Sequence, residues 1–113
     1  MKIADISEFY SPKSGGVRTY VEEKFRAAER NGHSLTVIAP GPEDRMERRG
    51  AGQLIWVKSP QLPFDANYHM FIKKAPVWRI LDRLKPDIVE GSSPWRGGWI
   101  AGTWPGSAPR ALF

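Results

Sequence analysis

The chain has 113 residues, 17 of them basic and 12 acidic, a net charge of +5, and no cysteine. The lack of cysteine excludes disulfides and thiolate chemistry and removes the commonest zinc ligands. Residues 1–50 hold nine basic and eight acidic groups and residues 51–113 hold eight and four, so the excess charge lies in the second half. That excess suits an acidic partner (a phosphate-bearing ligand, an anionic lipid surface or nucleic acid), and it equally suits a solvated basic face.

Residues 2–18 predict a short buried strand at Lys2–Ser7, a loop, and a helix that begins at Gly15 and Gly16 and runs to Arg30. Pro12 disfavours helix in the residue before it, which places the loop. Two glycines at a strand-to-helix turn let backbone N–H groups approach a ligand, and the helix N-terminus favours an anion such as phosphate. A tight turn that requires positive φ explains the same pair without a ligand.

The rest of the chain alternates between strands and helices. The first helix places an apolar stripe at spacings of three and four, formed by Val17, Tyr20, Val21, Phe25 and Ala28. Further strands are predicted at Ser34–Ala39, Leu54–Val57, Ile88–Gly91 and Arg110–Phe113, and further helices at Met70–Leu84 and from Trp95 to about Trp104. Loops are predicted at Glu43–Gly52, which is charged, and at Gln61–Tyr68, which has no apolar period.

This alternation predicts an α/β fold, a Rossmann-like open parallel sheet with helices on both faces. We expect the strand order 3-2-1-4-5, with the switch point between strands one and four. Ligands in such sheets bind outside the carboxyl ends of the strands at that point. The loops Glu8–Gly16 and Gly91–Gly98 flank it, and both contain glycine.

The sequence lacks the residues that several kinds of functional site require. Ser14-Gly15-Gly16-Val17 does not have the spacing of a dinucleotide fingerprint, strand two ends in Ala39-Pro40 without an acid, and no P-loop is present. His33 and His69 are isolated, so no metal and no Ser-His pair is expected. A receiver domain would need clustered aspartates at the strand ends, where only Asp5 is available. We therefore expect no cofactor.

Three segments resemble a known family: EFYSPKSGGVRTYVEEKFRAAERNGHSLTVIAP, SPQLPFDANY and LKPDIVEGSSPW. Together they look like the N-terminal, acceptor-side domain of the retaining GT-B glycosyltransferases that include phosphatidylinositol mannosyltransferases and sucrose synthases (glycosyltransferase family 4-like). Gly15-Gly16, Gly32-His33 and Pro86-Asp87-Ile88-Val89 carry most of the resemblance. Glu90 stands where many members have histidine.

The resemblance implies an enzyme that transfers a sugar from a nucleotide-sugar donor to a sugar or lipid-linked acceptor with retention. It implies that the glycine pair faces the donor diphosphate and the acceptor across an interdomain cleft. The implied donor- and acceptor-binding residues are Tyr10, Ser11, Gly15, Gly16, Arg18, Trp95 and Arg96. For the two arginines, the tryptophan, Tyr10 and Ser11, plain packing or a solvated surface is the alternative. No catalytic residue is assigned.

The donor-binding C-terminal domain is expected to lie outside these residues, because the chain stops inside an apolar strand. Residues 1–113 are therefore expected to be a partial N-terminal domain that is inactive alone. A non-catalytic domain that binds a phosphate-bearing ligand is the alternative.

The basic half supports a second hypothesis, a peripheral membrane or nucleic-acid binder, with nucleic acid the weaker choice. Its basis is a predicted helix, Met70–Lys85, that combines Phe71, Ile72 and Trp78 with five basic residues: Lys73, Lys74, Arg79, Arg83 and Lys85. An ordinary core-facing helix with a solvated back has the same pattern. The expected location is cytoplasmic, at the inner face of the membrane if attached, since neither a spanning segment nor a signal peptide is apparent.

Overall fold

A computed structural model describes residues 1–8, 10, 15–63, 65–91 and 96–112. The elements are β1 (Lys2–Ile6), α1 (Gly15–Arg30), β2 (Ser34–Gly41), β3 (Arg45–Arg49), β4 (Gly52–Lys58), β5 (Gln61–Leu62), β6 (Asp65–His69), α2 (Ala75–Leu84), β7 (Ile88–Gly91), α3 (Arg96–Thr103) and β8 (Arg110–Leu112). None of the helices in these ranges is long and apolar enough to cross a membrane.

The main sheet has the order β3-β4-β2-β1-β7-β8. Strands β4, β2, β1, β7 and β8 pair parallel with one another in that order, which confirms the predicted order 3-2-1-4-5 and the α/β Rossmann-like class. The β-branched and other apolar residues of β1, β2 and β7 suit central strands that are covered on both faces by crossover helices. The central position of β1 puts the switch point between β1 and β7.

Two predicted loops are strands instead. Arg45–Arg49 lies in the predicted loop Glu43–Gly52 and pairs antiparallel with β4, Arg45 opposite Trp56 and Arg49 opposite Gly52. Its five residues RMERR have no buried member, so the apolar pattern that marks central strands is missing. Gln61–Tyr68 holds most of a small two-stranded sheet, β5 with β6. The prediction of loops there was wrong.

Helix α2 begins at Ala75 rather than at Met70. Pro76 occupies the first helical turn, where its missing N–H costs nothing, and Lys85 closes the helix in the left-handed conformation with its N–H donated to Leu81 O at 3.0 Å. Phe71 is 1% exposed and packs in the core below the helix start. Residues 70–74 are therefore an approach segment and not a helical turn.

Each sheet face has its own core. On one face α1 contributes Val21, Phe25 and Ala28, which pack with Trp56 and other residues of β2 and β4. On the other face α2 and α3 cover β1, β2 and β7, with Val77, Leu81 and Ile100 fully buried. Tyr20, which the stripe of α1 placed inward, is 57% exposed, so the stripe is narrower than predicted. The side chain of Val17 is not among those that the structure describes.

Candidate functional site

The carboxyl edge of the sheet at the switch point is the candidate site. In β1, Ile6 lies beside Ile38 of β2 on one side and Gly91 of β7 on the other. Helix α1 starts at Gly15 after β1 and ends beside the amino edge, where Ser34 N–H donates to Met1 O at 2.9 Å. The glycine pair thus lies at the start of α1, on the edge where ligands of such sheets bind.

A polar cavity of about 270 Å³ lies between the start of α1 and strands β3 and β4. It is lined by Tyr10, Arg18, Glu22, Arg45, Glu47, Arg49 and Trp56. Tyr10 follows β1 and is 4% exposed, and its ring centroid lies 5.4 Å from that of Trp56 with the planes tilted by 34°. The aromatic pair forms an apolar wall beside charged groups, which is a combination that suits sugar hydroxyls and anionic groups.

Charge pairs hold the walls of this cavity together. Arg49 of the edge strand β3 forms an ion pair with Glu22 of α1. Glu47 accepts a hydrogen bond from Trp56 Nε1 at 2.6 Å, and Arg45 lies 3.5 Å from the same carboxylate oxygen. Because β3 is an edge strand, these contacts fix it against both the helix and the neighbouring strand.

The phenol of Tyr10 is held neutral by its surroundings. Burial raises its pKa above the ordinary value of 10.0, and the nearby Arg49, which also hydrogen-bonds the phenol, opposes that rise without cancelling it. Glu22 and Glu47 add to the rise through their negative charge. At neutral pH Tyr10 is therefore a hydrogen-bonding neutral group in the cavity wall and not a base.

A buried carboxylate joins the two loops that flank the switch point. Glu8 is 2% exposed, and its Oε1 accepts the backbone N–H of Arg96, the first residue of α3, at 3.1 Å. A carboxylate at a helix N-terminus satisfies one of the unpaired N–H groups there and complements the positive end of the helix dipole. The Glu8–Arg96 contact therefore sets the start of α3 relative to the end of β1.

Beneath the edge, one lysine bridges the two central strands. Lys24 of α1 places its Nζ 2.9 Å from Asp5 Oδ2 and 2.7 Å from Glu90 Oε1, and Asp5 and Glu90 are register partners in β1 and β7. Burial tends to lower the pKa of Lys24, but the two carboxylates outweigh burial and the pKa is raised. Glu90, at the family's histidine position, is thus engaged by a helix lysine in this chain.

The structure separates the predicted site residues into two groups. Tyr10 and Arg18 line the same cavity, and Arg18 is exposed at the first turn of α1. Arg96 is not among the lining residues of that cavity; its guanidinium carbon lies 5.6 Å from the centroid of the Trp99 ring. Ser11 and Trp95 lie outside the described residues. Binding by any of these residues stays a prediction.

Sequence reasoning did not identify Glu22, Glu47, Arg49 and Trp56 as residues of this cavity. Trp56 is buried at 6% exposure and packs in the α1-side core, but its indole N–H serves the cavity wall. A signal was present: Arg45, Glu47 and Arg49 alternate with other residues at a period of two, which is the period of a strand. Among the described residues no cluster of three histidines, aspartates or glutamates could hold a metal ion.

The fold is an open, Rossmann-like α/β domain whose candidate site lies at the end of β1. The family model for Glycosyltransferase Family 4 matches residues 14–110, and the chain belongs to that family. It is similar to the GDP-mannose-dependent alpha-(1-6)-phosphatidylinositol dimannoside mannosyltransferase of two Mycobacterium tuberculosis strains, ATCC 25177 / H37Ra and CDC 1551 / Oshkosh. Each is 31% identical over 94 residues, which covers 81% of this chain.

The chain spans about a quarter of the length of these curated relatives, 24% in each case. No solved structure matches. Family membership therefore rests on sequence, and the site rests on the geometry described above.

Proposed function

We propose that the chain is the N-terminal, acceptor-side domain of a retaining GT-B glycosyltransferase, which transfers a sugar from a nucleotide-sugar donor to an acceptor. The observation that supports this proposal best is the family match over residues 14–110 together with the glycine pair at the carboxyl edge of β1. The names of the mycobacterial relatives extend the proposal to GDP-mannose as donor and to a lipid-linked acceptor.

The roles that we propose for these groups follow from their positions in the fold. The backbone N–H groups at the start of α1 carry partial positive charge and face the donor diphosphate as it leaves with negative charge. The cavity of Tyr10, Trp56 and Arg18 takes part of the acceptor. The nucleotide is held mainly by a second domain, so the complete site forms between two domains.

The decisive test is Gly16→Val in a longer protein that includes both domains. A branched side chain at this position blocks the close approach of a diphosphate to the helix start, so we expect transfer to be abolished while the protein still folds. Transfer is assayed with several guanosine and uridine diphosphate sugars, and the anomeric configuration of the product is read by NMR to test retention.

The matched control is Arg26→Val on the exposed face of the same helix, since it introduces the same β-branched side chain away from the edge. Both variants are compared with wild type by circular dichroism and thermal melting. Normal turnover by a well-folded Gly16→Val protein would place the glycine outside the site and contradict the proposal.

We also propose peripheral attachment to an anionic membrane at the inner, cytoplasmic face, which suits a lipid-linked acceptor. Ile72 is 52% and Trp99 40% exposed, and Lys74 Nζ lies 5.0 Å from the centroid of the Trp78 ring and 4.3 Å from that of Trp99. Exposed tryptophan beside lysine is typical of membrane interfaces. Phe71, which the sequence grouped with this surface, is buried and does not contribute.

Vesicle sedimentation tests this attachment. Lys73→Glu/Lys74→Glu should reduce binding to anionic vesicles at low salt, because each basic group near such a surface contributes roughly 1 kcal/mol, and high salt should screen the difference. Arg26→Glu/Arg30→Glu on α1 makes the same change in charge elsewhere and should sediment like wild type. If the Lys73/Lys74 variant sediments like wild type, the basic surface is only solvated.

A further inference from the structure

A groove on the α2 face of the sheet shares Arg45 and Trp56 with the cavity described above and otherwise lies apart from it. Helices α2 and α3 pack over the central strands, and beside α2 the outer part of β4 and the strand β3 form the floor of a cavity of about 750 Å³. Its apolar lining includes Met46, Ile55, Ile80 and Leu84. Met46 is 57% exposed, and the other three are half-buried, so an apolar surface is open to water here.

The groove continues to the carboxyl edge of the sheet. A second cavity of about 470 Å³ shares Val57, Lys58 and Pro76 with the first and extends to Phe71 and Ile72. We call the two cavities together the α2 groove. It follows α2 along its whole length, because both Pro76 near the start and Leu84 at the end line it. Ten residues of helix span about 15 Å.

The rim of the α2 groove is strongly basic. The lining cations are Arg45, Lys58, Lys73, Arg79 and Arg83, and the one lining carboxylate is that of Asp44. Asp44 Oδ1 already accepts the backbone N–H of Lys58 at 2.8 Å. Lys58 and Lys73 line the groove at its carboxyl-edge end, so an anionic group there meets two cations.

We propose that the α2 groove binds one acyl chain of an anionic lipid, with the lipid phosphate held by the basic rim. This inference rests on the proposed transfer to a lipid-linked acceptor and names where its chain would lie. The length of the groove, about 15 Å, equals the depth of one leaflet of a hydrocarbon core that is roughly 30 Å thick. The groove meets the carboxyl edge at Ile72, so a bound lipid would present its headgroup on the side of the proposed site.

A carbon chain suits this groove better than a polypeptide segment does. A polypeptide brings backbone N–H and C=O groups that need partners when buried, whereas a carbon chain brings none. The polar floor residue Gln53 is already engaged, since its Nε2 donates to Thr36 Oγ1 at 3.1 Å. The charge of the rim then selects an anionic headgroup over a neutral one.

Alkyl phosphates below their micelle concentration separate this proposal from attachment to a bilayer. The 113-residue chain is titrated calorimetrically with octyl, decyl and dodecyl phosphate. Each pair of buried methylenes should tighten binding about tenfold until the groove is filled. Alkyl maltosides of the same chain lengths, which lack the phosphate, should bind more weakly.

One variant tests recognition of the phosphate and another tests binding of the alkyl chain. Lys58→Glu/Lys73→Glu, at the carboxyl-edge end of the groove, should remove the preference for phosphate, and Met46→Gln, on an edge strand where folding is tolerant, should flatten the dependence on chain length. Arg26→Glu/Arg30→Glu, which makes the same change in charge on the opposite sheet face, should bind like wild type. Chemical shift changes should map to β4 and α2.

Three results would overturn the proposal: absence of binding, affinity that does not depend on chain length, or equal loss in the α1 control. Displacement of dodecyl phosphate by a tighter-binding acidic helical peptide would assign the groove to a polypeptide instead. If the longer protein transfers sugar to a lipid acceptor but alkyl phosphates do not bind, the groove proposal fails alone. If they bind but no transfer occurs, the proposed function fails alone.

Discussion

At the scale of single residues, Lys24 has the largest expected effect on stability. Its ammonium neutralises two carboxylates on adjacent central strands, and the Asp5 side chain is only 1% exposed. Lys24→Met keeps the packing of the stem but leaves two like charges beside each other without a cation. Removing one partner of a buried ion pair costs roughly 3–5 kcal/mol, and we expect the lower end because Lys24 itself is 19% exposed. Urea denaturation measures the loss.

The same lysine predicts a pH dependence. The pKa of Lys24 is raised in the folded protein, so its stabilisation is complete below the unfolded pKa of about 10.4 and is lost as pH rises through the folded value. The difference in unfolding free energy between wild type and Lys24→Met should therefore be constant from neutral pH to about 10 and shrink above it. Arg26→Met, which removes an exposed cation, should give a small difference. A Lys24 effect that does not shrink as pH rises above the unfolded pKa would contradict the ion-pair account.

Two glycines make an opposed pair of predictions. A Cβ at Gly52 would lie 2.4 Å from the backbone oxygen of Leu35 and 3.0 Å from the Phe25 ring, whereas a Cβ at Gly102 would meet only Leu112 Cδ1 at 3.7 Å. Gly52→Ala must therefore shift backbone and should destabilise by about 1–3 kcal/mol, as overpacking does. Gly102→Ala lies in α3 and should stabilise by up to about 1 kcal/mol. Thermal melting of both variants checks the sign, and a neutral Gly52→Ala would show that β2 and β4 can separate locally.

At the scale of elements, Arg110 stabilises the turn that leads into β8. Its guanidinium donates to Ala101 O and Gly106 O, each at 2.8 Å, and to the carbonyls of Trp104 and Ala108, and it lies 4.9 Å from the Trp104 ring centroid. Lysine keeps the charge but cannot present a planar fork to four carbonyls. Arg110→Lys should cost about 2 kcal/mol.

The loss should be local, because β8 pairs only with β7 in the described sheet and has three residues. Amide exchange should therefore accelerate in β8 more than in β1. Arg83→Lys, an exposed change of the same kind on α2, is the control and should leave exchange unaltered. Uniform acceleration of amide exchange throughout the sheet would mean that the Arg110 contacts stabilise the whole fold and not β8 alone.

The elements also show which parts of the fold the sequence could predict. Strands β1, β2, β4 and β7 contain apolar, β-branched residues, so strand–helix alternation predicted their order. Strand β3 has no buried residue and is held by charge pairs with α1 and β4, which an apolar pattern cannot reveal. Helix α2 was predicted to begin too near the N-terminus because Phe71 is apolar. Phe71 is apolar because it is buried in the core, not because it belongs to a helix.

At the scale of the whole molecule, the sequence could predict the position of the candidate site in the fold but not the residues that surround it. The carboxyl edge at Gly15 and Gly16 followed from topology alone. The Lys24 bridge required the register of β1 against β7, and the Tyr10 cavity required β3 to be a strand beside Trp56. Contacts that join residues distant in sequence depend on register, which local patterns leave open.

The last prediction concerns the chain as a unit: residues 1–113 alone should bind nucleotide sugars feebly and transfer none. The groups at the edge are two backbone amides, a helix end and the exposed Arg18, and a helix-end contact contributes roughly 0.3–1 kcal/mol at an exposed site. A millimolar dissociation constant already requires about 4 kcal/mol. Calorimetric titration with several guanosine and uridine diphosphate sugars, followed by a transfer assay, tests this, with the longer two-domain protein as positive control. Micromolar binding by the 113-residue chain, or turnover, would mean that the site is complete within it and that the proposed half-cleft is wrong.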